Sequence, residues 1–294
     1  MFNLQQLATM AQYVGRARDF LRTDIYYNLI LYPLVSRKQR KLLAECRPNQ
    51  SHTYTSFNRS PGQLEALIGP VLNFITQGAH SPGQTPLQIN VMAGSIGAEA
   101  YTLASTLLNL RPDVEFHIHC SDLHEETVAR SIDGVYSADE VLAGQLPERF
   151  FRNTFERVDG FYRVKSAIRK RVTFFKADIV TDPLAKLYPP GDIIFLQNVL
   201  FHLDCGAAYR AFNNALSTCK THYAVFIDGM SLDMRVDLTH RHQLVPLDYK
   251  IRDIHQHARR HVPEDWWNYY FGAEPYLFFK PDRQRRYSTI FLTP

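Results

Sequence analysis

The chain has 294 residues, few cysteines, no long apolar run and no strong excess of charge of either sign. No two cysteines form a C-x-x-C pair, which excludes a zinc knuckle and a dithiol redox motif. The four cysteines are Cys46, Cys120, Cys205 and Cys219. The longest apolar segment, residues 25–35, is interrupted by Asn28 and is too short to span a bilayer. We therefore expect a cytoplasmic protein with reduced thiols and no membrane insertion.

The charges are nearly balanced, with 33 Lys and Arg residues interspersed among 29 Asp and Glu residues. The formal net charge of +4 does not predict nucleic acid as a partner. Hydrophobic residues make up 45% of the chain and charged residues 21%, and no segment is of low complexity. This composition is typical of a globular protein with a full hydrophobic core.

Several histidines near the C-terminus raise the question of a metal site. His257 and His261 are four residues apart and fall on one face of a predicted helix. No cysteine or clear carboxylate partner is spaced with them to complete a ligand set. We therefore predict no bound metal.

The N-terminal part of the chain, residues 1–48, is predicted to be a separate helical region. Its apolar residues recur at spacings of three and four, which is typical of an amphipathic helix. The segment 48–60 is polar and is expected to be a linker or an ordered loop. Ser60 and Pro61 then supply a cap and a first-turn proline for another helix. The remaining domain is predicted to span residues 49–294.

From residue 88 onward, short apolar segments alternate with amphipathic ones, which predicts a doubly wound α/β domain with a parallel sheet. The predicted strands are residues 88–93, 115–120, 172–177, 192–197 and 223–228, with helices near 98–110, 124–131 and 205–218. Residues 276–280 and 287–292 are predicted to form a closing antiparallel hairpin. Residues 133–171, rich in glycine and in alternating patterns, are predicted to be a small inserted β-subdomain between the second and third parallel strands.

In such a sheet, ligands bind beyond the carboxyl ends of the strands, so the residues that follow each strand are the candidate site. The first strand is followed by A-G-S-I-G-A-E, a glycine-bearing turn into a helix. Because this turn departs from the G-x-G-x-x-G fingerprint, it disfavours NAD. Glu99, in the first turn of that helix, would repel a pyrophosphate but suits the ammonium and sulfonium charges of S-adenosylmethionine; it also suits the helix dipole alone.

The next three strand ends also offer polar groups. Asp122 could accept both hydroxyls of a ribose, or it could cap the following helix. Asp178 and Ile179 are placed to meet an adenine edge. Asn198 and Val199 follow the fourth strand at the mouth of the same cleft. Four such strand ends together predict a nucleoside site.

At these residues the chain resembles the CheR-type chemotaxis receptor methyltransferase family. Residues 94–102, GSIGAEAYT, are similar to the family's A-S-T-G-E-E-P-Y-S, and 121–124, SDLH, to its S-D-I-D. Residues 197–204, QNVLFHLD, resemble its R-N-V-x-I-Y-F-D, and 53–60, TYTSFNRS, its N-x-T-x-F-F-R-E. The similarity extends over roughly residues 50–228, including the insertion, which in the family is a small β-subdomain that can dock a receptor tail.

The resemblance implies a class I, Rossmann-like, S-adenosylmethionine-dependent methyltransferase that esterifies glutamate side chains of a chemoreceptor-like protein. It also implies which residues hold the cofactor, with Thr53, Thr55 and Arg59 closing over it. The implied cofactor-binding residues are Ala93, Gly94, Ser95, Glu99, Asp122, Asp178, Ile179, Asn198 and Val199.

The chain departs from the family pattern mainly on the acceptor side. Ala98 replaces the first glutamate of the family's pair, Thr53 and Asn58 replace an asparagine and a phenylalanine, and His202 replaces a tyrosine. The tail after Asp228 is longer than the family's and does not match it. A small-molecule methyltransferase and a non-catalytic cofactor-binding module therefore stay open as alternatives.

Two residues are candidates for catalysis. Arg59 could hold an acceptor carboxylate, or the cofactor's own, by a two-pronged contact; it could also be an ordinary surface arginine. If the acceptor is an amine, phenol or hydroxyl, His202 is the candidate base. A glutamate acceptor needs no base, because its pKa of about 4.3 leaves it ionised at neutral pH.

Overall fold

The computed structural model describes residues 55–78, 86–142, 146–260, 274 and 276–294. The predicted N-terminal helical region, residues 1–48, and Thr53 lie outside these ranges, as does His261. In the described part of the chain, no helix has the length and apolar character that crossing a bilayer requires.

The described residues include ten strands, which form two separate sheets. They are β1 (Leu87–Met92), β2 (Phe116–Asp122), β3 (Val135–Tyr136), β4 (Phe155–Val158), β5 (Phe161–Val164), β6 (Val172–Lys176), β7 (Gly191–Gln197), β8 (Cys219–Asp228), β9 (Val245–Pro246) and β10 (Ile290–Leu292). The larger sheet has the order β6-β2-β1-β7-β8-β10-β9. Its first five strands are parallel, and β10 is antiparallel to both of its neighbours.

The described helices either flank this sheet or lie in the segment between β2 and β6. They are α1 (Pro61–Ala66), α2 (Leu72–Gly78), α3 (Ala98–Leu110), α4 (Glu125–Asp133), α5 (Ala138–Leu142), α6 (Glu148–Thr154), α7 (Ser166–Arg169), α8 (Leu184–Leu187), α9 (Cys205–Leu216), α10 (Leu232–Arg241), α11 (Ile251–Arg260) and α12 (Arg283–Tyr287). A π-helical turn, Leu67–Val71, joins α1 to α2, since Pro70 cannot donate its share of the α-helical bonds. A 3₁₀ turn, Leu200–His202, follows β7.

Both faces of the large sheet are buried, because successive residues of its strands enter different cores. On one face, Ile193 and Phe195 of β7 join a core that includes residues of α1 and α3. On the other face, Ile194 and Leu196 pack with α8, α9 and α10. Strands that are covered on both faces have continuous apolar sequences, and β7 is an example because all seven of its residues are buried. The predicted doubly wound α/β fold is therefore confirmed, with strand bounds within a few residues of the predicted ones.

The inserted subdomain is also present. Between β2 and β6 the chain forms a small antiparallel sheet of order β3-β5-β4, together with α5, α6 and α7. Phe155 and Val164 are buried and belong to the same core as α3. The insertion therefore packs firmly on the α/β domain.

The predicted closing hairpin is wrong in its first strand. Residues 276–280 form a turn, and 283–287 form α12, so no strand precedes β10 there. Phe278 and Phe279 are exposed, whereas a half-buried strand would have turned one of them inward. Arg286 is drawn into the interior by ion pairs with Glu274 and Asp233, which favours a helix over an exposed turn. The antiparallel partners of β10 are β8 and β9.

Candidate S-adenosylmethionine site

A cavity of about 280 Å³ lies at the carboxyl ends of β1, β2, β6 and β7. The segment 55–64, which leads into α1, forms another part of its wall. The cavity contains every predicted site residue that the structure describes. These are Thr55, Arg59, Ala93, Gly94, Ser95, Glu99, Asp122, Asp178, Ile179, Asn198, Val199 and His202. We call it the strand-end cavity.

The turn between β1 and α3, residues 93–97, is the most strained part of the cavity wall, and we call it the glycine turn. Ala93 and Ser95 have positive φ angles of 55° and 50°, which cost energy in residues other than glycine. Gly94 is required by close packing, since an added Cβ would lie 2.2 Å from the sulfur of Cys120. Such strain is common in backbone that a ligand approaches closely.

Asp122 ties the glycine turn to the end of β2. Its Oδ2 accepts a hydrogen bond of 2.8 Å from the Ser95 amide, and its Oδ1 accepts one of 3.2 Å from the His124 amide. His124, not Asp122, occupies the cap position of α4. An ionised carboxylate has about four acceptor sites, so Asp122 keeps capacity for two hydroxyl donors.

Glu99 stands in the first turn of α3 and faces the cavity. Burial raises the pKa of its carboxyl from 4.5 to about 7, and the positive charge of Arg59 opposes part of that rise. The pKa stays raised because the positive charge nearby does not fully offset the cost of burying the ionised carboxylate. A cation placed beside Glu99 would restore its ionised form.

The segment that carries Arg59 is anchored from both sides. Phe57 is buried and packs edge-on against Tyr136 and Phe155, with ring centroids 5.0 and 4.9 Å away. The amide of Asn58 donates to the Thr102 hydroxyl of α3 at 3.1 Å. These contacts hold Arg59 at the cavity beside the Glu99 end of α3.

Asp178 and Ile179 follow β6. The Asp178 carboxylate accepts bonds from the Val180 amide, 2.8 Å, and the Thr181 hydroxyl, 2.9 Å, and so shapes its own turn. The Ile179 carbonyl accepts from the Asn214 amide group, which fixes that turn against α9. The Ile179 side chain therefore reaches the cavity from a rigid backbone.

Asn198 and Val199 follow β7. Asn198 has a φ of 54°, and its amide donates to the Asp228 carbonyl at 2.9 Å. Gly229 must be glycine here, because an added Cβ would lie 2.5 Å from the Asn198 Cα. His202 follows on the 3₁₀ turn, where its amide donates to the Val199 carbonyl.

Two buried polar atoms in the described part of the cavity wall have no hydrogen-bond partner, the Ser95 hydroxyl and the Asn198 Oδ1. Buried polar groups are nearly always satisfied, so these two atoms are candidates for bonding a polar ligand. The cavity also offers carboxylates to an amine and to a sugar, with apolar side chains between. The residues present fit S-adenosylmethionine. Within the described residues, no group of three or more histidine, cysteine, aspartate or glutamate side chains could hold a metal ion.

Comparison with known families decides the assignment. The profile of the CheR methyltransferase, SAM-binding domain, matches residues 53–251, which is more than half of the chain. The chain belongs to the CheR methyltransferase family. It therefore carries a methyltransferase S-adenosylmethionine-binding domain.

Individual relatives of this CheR domain are distant. A probable chemotaxis protein methyltransferase of Rhizobium etli is 26% identical over 185 residues, covering 61% of this chain and 66% of the relative. The probable biofilm formation methyltransferase WspC of Pseudomonas aeruginosa is 23% identical over 175 residues, covering 53% of this chain and 41% of that protein. The chain thus spans less than two thirds of the length of either relative.

Among solved structures, magnesium protoporphyrin IX methyltransferase from Synechocystis with bound SAM is similar to 77% of this chain. The match covers 86% of that structure at 14% identity and a TM-score of 0.36. The fold assignment of the CheR domain rests on its own strand order.

The sequence-based prediction left out several polar residues of the cavity lining, among them Gln63 and Gln197. Gln197 donates to the Gln63 side chain at 3.2 Å, and Gln63 donates to the Thr289 hydroxyl at 2.8 Å. The signal for Gln197 was available, because the CheR pattern has arginine at the position that precedes Asn198. No local pattern marks Gln63, which reaches the cavity only because α1 packs over the ends of the strands.

Proposed function

We propose that the chain is an S-adenosylmethionine-dependent methyltransferase that esterifies a glutamate side chain of an acceptor protein, as its CheR resemblance implies. The observation that carries the proposal is the convergence of four strand ends and the Arg59 segment on one cavity. A chemoreceptor-like acceptor and a cytoplasmic location belong to the same proposal.

In this proposal each end of the strand-end cavity holds a different part of the cofactor. Glu99 pairs with the cofactor's ammonium group, which would restore the ionised form of a carboxyl whose pKa burial has raised. Asp122 accepts the two ribose hydroxyls with its remaining lone pairs. Asp178 and Ile179 border the adenine, and Ser95 and Asn198 supply the polar atoms that lack partners in the protein.

S-adenosylmethionine supplies an electrophilic methyl group when bound. The protein's task is then to hold an acceptor oxygen in line with it, and positioning of this kind accounts for a large part of the barrier in bimolecular reactions. Arg59 would grip the acceptor carboxylate through two parallel hydrogen bonds. That carboxylate is already ionised at neutral pH, so no base is required.

A second candidate is a small-molecule O- or N-methyltransferase. It is favoured by the neutral amide pair Gln63 and Gln197, which lies where the family pattern carries an arginine. A neutral acceptor would not require that positive charge. His202, on the cavity wall, would then act as the base for an amine, phenol or hydroxyl.

Calorimetry with S-adenosylhomocysteine tests the cofactor site. We expect wild-type binding, and about thirtyfold weaker binding for Asp122→Ala, because that variant loses bonds to a charged group. Asp113→Ala is the matched control, since this exposed carboxylate pairs with Arg111 at the surface, away from the cavity. Wild-type protein that does not bind the nucleoside would contradict the proposal.

Methyl transfer from labelled S-adenosylmethionine separates the two acceptor classes. Base-labile label in a membrane or receptor fraction supports glutamate esterification, whereas label in small molecules, lost in His202→Phe, supports the second candidate. Cofactor binding without transfer to any acceptor would favour a non-catalytic binding module.

A further inference from the structure

The inserted subdomain contacts the strand-end cavity indirectly, through the glycine turn. Tyr136, in β3, donates a hydrogen bond from its hydroxyl to the Ile96 carbonyl at 2.6 Å. The residue is completely buried and does not line the cavity. Its hydroxyl nevertheless meets the one backbone segment that carries two strained residues on the cavity wall.

The glycine turn is held in place by bonds from several elements. From β2, Ser121 accepts the Gly94 amide at 2.9 Å and Asp122 accepts the Ser95 amide at 2.8 Å. From α4, the Ser131 hydroxyl donates to the Ser95 carbonyl at 3.0 Å, and the Thr127 carbonyl is a second acceptor for the same hydroxyl. Backbone in the left-handed region persists only where its surroundings over-determine it, so each of these bonds contributes to the shape of the wall.

Tyr136 is suited to this task because its own position is fixed. Gly134 ends α4 in the left-handed conformation, with a φ of 61°, and leads directly into β3. The Tyr136 ring packs edge-on against Phe57, two residues before Arg59. Burial raises the pKa of Tyr136 well above its usual value, which keeps the hydroxyl a donor at all working pH values.

We infer that Tyr136 is a positioning residue for the cofactor: its hydroxyl fixes the Ile96 carbonyl and so sets the Ser95 end of the glycine turn that meets the nucleoside. The inference rests on the proposed function in that the glycine turn is taken to bind the cofactor. It makes the inserted subdomain a supporting part of the cofactor site as well as an appendage.

The test compares two buried tyrosine hydroxyls. Tyr136→Phe removes the bond to Ile96 but keeps the ring on Phe57, whereas Tyr287→Phe removes an equally buried bond to Glu274, 2.6 Å, away from the cavity. We expect Tyr136→Phe to bind S-adenosylhomocysteine about tenfold more weakly and Tyr287→Phe to bind it normally, although both lose stability. In turnover, Tyr136→Phe should raise the KM for S-adenosylmethionine more than it lowers kcat.

Amide hydrogen exchange of the ligand-free protein gives a readout that needs no cofactor. The amides of residues 94–97 should exchange faster in Tyr136→Phe than in wild type, and at the wild-type rate in Tyr287→Phe. Unchanged exchange together with unchanged affinity in Tyr136→Phe would overturn the inference. If wild type fails to bind the nucleoside, the proposed function falls, while exchange in residues 94–97 still decides whether Tyr136 fixes the turn.

Discussion

Two regions of the molecule bury polar groups in opposite ways. The strand-end cavity is lined by strained backbone, a carboxyl of raised pKa and two residues whose polar atoms lack partners. Around α12, a cluster of mostly buried polar and charged side chains is paired within the protein. We call the second region the C-terminal ion cluster; it consists of Asp228, Asp233, Arg235, Glu274, Arg286 and Tyr287.

The C-terminal ion cluster satisfies its charges with fork-shaped contacts. Arg286 donates to both carboxylate oxygens of Glu274, at 2.8 and 2.6 Å, and to Asp233 at 2.7 Å. Arg235 pairs with Asp228 at 2.9 Å and also donates to two backbone carbonyls. Both arginines are buried, and each makes several hydrogen bonds, although the Nε of Arg235 has no partner among the described residues.

The difference between the two regions separates stability from function. A buried charged group whose partners are all in the protein has no capacity left for a ligand. Removing one of those partners strongly destabilises the fold, because it leaves a buried charge unpaired. A buried group without a partner lowers stability in the free protein and becomes satisfied when a ligand binds. The strand-end cavity belongs to the second kind.

The largest effect on stability should come from removing a buried ion pair of the C-terminal ion cluster. Arg286→Met leaves the buried Glu274 carboxylate without its cation, and we expect the free energy of unfolding to fall by about 3 kcal/mol or more. S-adenosylhomocysteine affinity should stay at the wild-type value below the transition temperature. Urea denaturation and calorimetry measure the two quantities.

Lys250→Met is the matched control for that variant. Lys250 and Glu65 form an ion pair with both side chains about half exposed, 48% and 52%. Loss of this ion pair should leave the free energy of unfolding close to the wild-type value, because solvent-exposed ion pairs contribute little. Equal losses in the two variants would remove the contrast between buried and exposed pairs on which the comparison depends.

Much of the cavity could be predicted from the sequence, because strand ends in a parallel sheet meet at one edge. Apolar runs such as IIFL in β7 identify the strands, and the polar residue after each one is then brought to the site by topology alone. That is why the location of Glu99, Asp122 and Asn198 at one cavity could be predicted without any contact information.

The parts that were missed depend on contacts between distant segments. The C-terminal ion cluster joins residues up to 53 positions apart, such as Asp233 and Arg286. No periodicity in the sequence predicts contacts of this kind. The predicted hairpin failed for the same reason: its loop, residues 281–286, overlaps α12, in which Arg286 pairs with Glu274, and residues 276–280 form a turn. Gln63 reaches the cavity only through packing of α1.

A smaller effect should appear in the pH dependence of cofactor binding. Glu99 has a pKa of about 7 in the free protein, so it is largely protonated at pH 6 and must lose that proton to pair with an ammonium group. Affinity for S-adenosylhomocysteine should therefore be about tenfold lower at pH 6 than at pH 8. Calorimetry at several pH values in one ionic strength measures it.

Glu99→Gln sharpens that prediction. The variant should bind weakly with a nearly flat pH profile, because the titrating group is gone. Its folding stability should rise although its affinity falls. In wild type the raised pKa of Glu99 in the folded state lowers stability as pH rises from 4.5 toward 7, so replacing Glu99 should stabilise the free protein at pH 8. A wild-type affinity that is independent of pH would contradict the assignment of Glu99 to the ammonium group.

The smallest expected effect is a change in folding stability that has opposite signs in the two regions. Ser95→Ala removes a buried hydroxyl that has no partner, at a backbone angle that both residues tolerate equally, so the free protein should gain about 0.5–1 kcal/mol of stability. Ser288→Ala removes a buried hydroxyl that donates to the Ile290 carbonyl at 2.7 Å, and should lose about as much. S-adenosylhomocysteine affinity should fall only in Ser95→Ala, by about threefold. If both variants destabilise the protein equally, the Ser95 hydroxyl has a partner within the protein and does not mark a ligand site.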